Sequence, residues 1–171
     1  ELKEDRTRDK WLSQLHAIVV SSSLPIVSIS SQLADPRGAY NIIGKGRRAA
    51  TIRRRVLDWK IVARFLQLSY GRVWPGGPAQ VLDYLASLVD GGCGKSVVER
   101  ALFALSFIEA AGGVLDAGRL SKHPLIQSAV EELSVRAARG VTQATRKAPQ
   151  VPISFLLALE PMVLDTSVPR Y

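Results

Sequence analysis

The stretch "AATIRRRVLDWKIVARFLQLSYG", residues 49–71, decides the fold. Ile52, Val56, Trp59, Ala63 and Leu66 recur at helical spacing, and no alternation of strand type runs through them. The pattern ends before Gly71, a residue suited to the left-handed turn that closes a helix. Arg53, Lys60 and Arg64, at i, i+7 and i+11, form a basic stripe beside that apolar face. Ile61, Phe65 and Leu68 lie on the opposite side, which predicts neighbours on two faces of this helix.

Working outward, "RVWPGG" reads as a turn and Pro78 suits the first turn of a second helix over 78–90. That helix buries Val81, Leu82, Leu85 and Leu88, with Tyr84 at its margin. A third helix, 96–111, opens on a capping box of Ser96 and Glu99. It buries Val97, Ala101, Ala104, Leu105 and Ile108 and stops at Gly112-Gly113. A fourth starts near Ser121–Pro124 and buries Leu125, Ile126, Ala129, Val130 and Leu133. Upstream, residues 4–20 place Trp11, Leu15, Ile18 and Val19 on one face of an accessory helix, followed by a Ser/Gly/Pro-rich connector. The compact part is expected to begin near Arg47, giving an extension over 1–44 and a helical domain over 45–140. The expected class is all-α: a bundle of four to five helices with an extra N-terminal one.

The 171 residues carry one cysteine, Cys93, which excludes an internal disulfide and any multi-thiolate metal site. No apolar run reaches the ~18 residues of a membrane span, and no signal peptide is apparent. Net charge is +8, and the window Lys45–Arg64 alone holds +7, leaving +1 on the other 151 residues. A field so concentrated suits a polyanion, with nucleic acid favoured over a merely solvated helix face. "GGCGKS" (91–96) looks like the end of a phosphate-binding P-loop, but the required earlier glycine is Val89 and the preceding segment is helical.

Four helices thus stand in a row as "TIRRRVLDWKIVARFL", "WPGGPAQVLDYLASLV", "GKSVVERALFALSFIEAAGG" and "HPLIQSAVEELSVRAARG". The ordered set resembles the core-binding, SAM-like domain of Cre-type tyrosine recombinases and integrases, over about 45–150. That resemblance implies a half-clamp on double-stranded DNA. Its groove-facing helix starts would carry Thr51, Arg53, Arg54, Lys95, Ser96, Glu99 and Arg100, with Lys45, Arg47 and Arg48 on the backbone just upstream. Lys60 joins them through the basic stripe. Helix N-termini favour phosphate through unpaired N–H groups, and Lys95 adds a full charge at one of them. The expectation is that the starts of helices 51–70 and 96–111 lie together on one side of the bundle.

The resemblance further implies a basic linker and the first helix of a catalytic domain over 141–171, that helix starting near 152, and tetramers assembled on DNA. The chemistry itself is not expected in this segment. The family's nucleophilic tyrosine needs two arginines, a lysine and a His-x-x-Arg element, and neither His16 nor His123 begins one. No cofactor, metal ligand or catalytic residue is assigned, and the expected location is intracellular, with DNA. The competing reading is a SAM-like interaction module whose basic helix docks an acidic protein.

Overall fold

A computed structural model describes residues 2–30, 32, 38, 42–44 and 46–140. Lys45 and the expected linker and catalytic-domain helix beyond 140 lie outside these residues. The elements are α1 (Leu2–Ser21), α2 (Ile26–Ser30), α3 (Ala49–Tyr70), α4 (Pro78–Asp90), α5 (Lys95–Ala111) and α6 (Pro124–Gly140), with 3-10 turns at Asp116–Gly118 and Leu120–Lys122. No strand occurs among the described residues, and the fold is an all-α bundle.

Punctuation in the sequence sets the helix ends. Gly71 adopts φ +67° and its N–H donates to the Gln67 carbonyl, closing α3 after six turns. Pro78 fills the first turn of α4, where its missing N–H would have had no partner. The third helix departs from expectation. Gly94 is its N-cap in extended conformation, no side chain caps it, and Ser96 lies inside the first turn. Glu99 pairs instead with Lys95, 3.5 Å away at i, i+4, so the expected capping box does not form.

The compact part does not begin near Arg47. Leu12, Leu15 and Val19 of α1 are buried in the same core as Ile52, Val56, Trp59 and Leu66 of α3, together with Leu85, Val98, Ile108 and Ile126. The connector contributes too. Leu24, Ile26 and Ile43 are buried, and the Ile26 N–H donates to the Gly112 carbonyl. A Cβ on Gly112 would approach Leu24 Cβ to 2.8 Å, so only glycine lets the connector lie this close to the end of α5.

Five expected positions differ in burial. Val98 rather than Val97 faces inward on α5, three and seven residues before the buried Ala101 and Leu105. Tyr84 is buried rather than marginal, and burial above all pushes its phenol up to about 12. Leu125 is exposed, since Ile126, Val130 and Ala137 set the inner face of α6. Ile61 and Leu68 of α3 are also exposed, so among the described residues that face has no covering helix.

Glu109 is fully buried on α5. Its carboxylate accepts from the N–H groups of Leu120 and Ser121 and from the Ser121 hydroxyl, tying the second 3-10 turn to α5. Burial raises its pKa, and those hydrogen bonds offset part of the rise. Among the described residues no helix is long and apolar enough to cross a membrane.

Candidate nucleic-acid interface

The basic window folds onto α3 and the two residues before it, and α5 packs along it. Three pairs give the sense of that packing. Arg100 of α5 donates to Asp58, Phe103 lies under Arg55, and Phe107 lies under Arg47. As the α5 number rises the α3 number falls, so the two helices run antiparallel. Lys95 and Phe107 are twelve residues, or about 18 Å, apart along α5, and Phe107 is the end that meets Arg47. The two helix starts therefore point apart. The expected convergence of Arg47, Arg48, Thr51, Arg53 and Arg54 with Lys95, Ser96 and Glu99 at one rim does not occur.

A different convergence takes its place, on the ridge where α3 and α5 lie side by side. Its centre is Arg55, half-buried, with its guanidinium 5.2 Å from the Phe103 ring centroid. Burial, and then the guanidiniums of Arg54, Arg100 and Arg47, hold the Arg55 pKa below its ordinary value, while Asp58 works the other way. Three further arginines thus act on Arg55, with Asp58 as the carboxylate beside it. Asp58 is 7% exposed; it accepts from Arg100 Nη2 and lies 3.9 Å from Arg55 Nη1. The hydrogen bond from Arg100 to Asp58 raises the Arg100 pKa.

That triad is under-satisfied. Arg55 Nη1, Asp58 Oδ2 and Arg100 Nε are all buried without a hydrogen-bond partner among the described residues. Such groups cost free energy until something supplies the missing partner. Phe103 is 54% exposed at the same place, and Arg48 is exposed at the α3 start.

The remaining expected residues disperse. Arg53 lies 5.9 Å over the Trp11 ring and Lys60 donates to Gln14 Oε1 at 2.7 Å, so both belong to the α1 side of α3. Thr51 is exposed in the first turn of α3. Lys95, Ser96 and Glu99 cluster at the far end of α5. Arg55 is not among the residues the sequence singles out, since it falls nearer the apolar face of the helix than Arg53 does. That position is what brings it against α5, and the signal was Asp58 three residues on. Trp59 is core, its ring centroid 5.1 Å from that of Trp74 with the two planes tilted by 41°, and so is not available to bases.

Among the described residues no group of three or more His, Cys, Asp and Glu side chains is arranged to hold a metal ion. Comparison with protein-family models, curated proteins and solved structures finds no match.

Proposed function

We propose that the α3–α5 ridge binds the sugar–phosphate backbone of duplex DNA, and that the chain is the DNA-clamping, core-binding part of a tyrosine-type site-specific recombinase. The observation that carries the binding reading is Arg55, seated on Phe103 and paired, like Arg100, with Asp58, with the charges of Arg47 and Arg54 also acting on it. Gathering four like charges is unfavourable in the free protein, and a polyanion reverses the sign of that interaction. Arg100, whose side chain is 41% exposed, and the exposed Arg48 and Arg54 are donors within reach of phosphate oxygens.

The recombinase assignment is supported by the order of its helix motifs, from "TIRRRVLDWK" to "GKSVVERALFAL". On that reading the partners are duplex DNA, a following catalytic domain and further copies on the same DNA. This segment supplies grip and register, and strand cleavage belongs to the residues that follow. Fluorescence anisotropy with a labelled short duplex tests the binding. Arg54→Ala with Arg55→Ala removes two phosphate partners, so the salt slope flattens by about 2. An unchanged slope and affinity would overturn the assignment of the ridge to DNA.

A further inference from the structure

We infer that the outward face of α3 is a second binding surface, which takes an acidic amphipathic helix from a protein partner. Leu57, Ile61 and Leu68 are 42%, 58% and 77% exposed. Single exposed leucines need no explanation, but these three fall within roughly 40° of arc on the side opposite the core. With Arg54 and Arg64 they complete the series 54, 57, 61, 64, 68, spaced 3, 4, 3, 4 as in the seam of a coiled coil.

Phe65, expected from its number to join the outer face, is turned away. Its ring packs 5.2 Å from Tyr84 and 6.3 Å from Tyr70. Among the described residues, nothing covers the seam that remains.

Charge selects the occupant. Arg54 and Arg64 sit within the seam ten residues apart, about 15 Å along the axis, and both are exposed without an ion-pair partner among the described residues. Their long stems can lie along a neighbouring apolar side chain while the guanidiniums reach its flank. A second basic helix would meet repulsion at both places. A helix with leucine-type residues on one face and carboxylates about 15 Å apart meets apolar contact at Leu57, Ile61 and Leu68 and ion pairs at both ends.

This surface adjoins the proposed DNA ridge at Arg54 but does not depend on it, and the test separates the two. The probe is a synthetic amphipathic helix with leucine at its seam positions and glutamate on its flanks, titrated onto the 171-residue chain. A twin peptide with lysine for glutamate serves as control. The glutamate peptide binds and the lysine peptide does not. Leu57→Ser with Leu68→Ser weakens binding at least tenfold while leaving the circular dichroism spectrum and duplex affinity unchanged. Equal binding of both peptides, or full binding by the double variant, overturns the inference. So does loss of duplex affinity in that variant, which would place this face in the DNA site. Concentration-dependent self-association that the double variant abolishes would make the occupant a second copy, and the inference fails.

Discussion

Replacing Asp58 by Asn separates what this carboxylate does for the fold from what it does for binding. Asp58 is the one negative charge among Arg47, Arg54, Arg55 and Arg100, and its side chain is 6% exposed. Removing one partner of a fully buried ion pair costs about 3–5 kcal/mol. The side chains of Arg100 and Arg55 are 41% and 22% exposed, so water takes up part of the loss and about 1–3 kcal/mol remains. For a unit of this size that lowers Tm by about 3–10 °C. The same change raises the cluster from +3 to +4 by the charges of its five members. Arg100, no longer held by Asp58, becomes available to phosphate. One added charge at nanometre distance gives about a two- to five-fold gain in duplex affinity at 0.1 M salt. The salt slope steepens by about 1. Thermal unfolding followed by circular dichroism gives the first quantity, and anisotropy from roughly 50 to 200 mM salt gives the second. A folded variant that binds DNA no more tightly, with an unaltered slope, would refute the placement of this cluster at the interface.

Three further outcomes follow from other parts of the molecule. Glu109 has a raised folded-state pKa, so its contribution to stability is fully present below the unfolded pKa and lost as pH rises through the folded one. The Tm advantage of wild type over Glu109→Gln should therefore shrink from about pH 4 to pH 7, and a widening gap would contradict the burial described for this carboxylate. Gly112→Ala forces a Cβ against Leu24 and should cost about 1–3 kcal/mol in denaturant unfolding; a neutral result would mean the connector does not pack there. Arg53→Ala with Lys60→Ala removes two cations on the α1 side of α3 and should change the duplex salt slope by less than Arg54→Ala with Arg55→Ala does. Equal effects would return the site to the outer basic stripe.

Much of the fold was legible because glycine and proline mark its joints. Gly71, Pro78, Gly94 and Gly112 each stand at a helix end, and the helical spacing of Ile52, Val56, Trp59 and Leu66 left no alternative to a long buried helix. What local sequence did not hold was the sense in which helices meet. The Asp58–Arg100 contact joins residues 42 apart in the chain, and helical spacing alone assigns neither a partner. Arg100 therefore read as a free cation, and Arg55 as a poor candidate. The incorporation of α1 was missed for a related reason. Leu12 falls one residue from Trp11, and the expected face ran through the tryptophan, whereas the core takes the leucine. Glu109 lies within an apolar face, and its partners come from the turn carrying Leu120 and Ser121, eleven and twelve residues on, which helical spacing does not reveal.

The location of DNA on the protein tests the account most directly. A photo-reactive benzophenone side chain placed at position 103, on the α3–α5 ridge, or at position 68, on the outer face of α3, reports which surface touches a bound duplex. Crosslinks from 103 and none from 68 are the predicted result. Crosslinks from 68 alone, or from neither while the duplex remains bound, would show that the arginine ridge is not where the double helix lies.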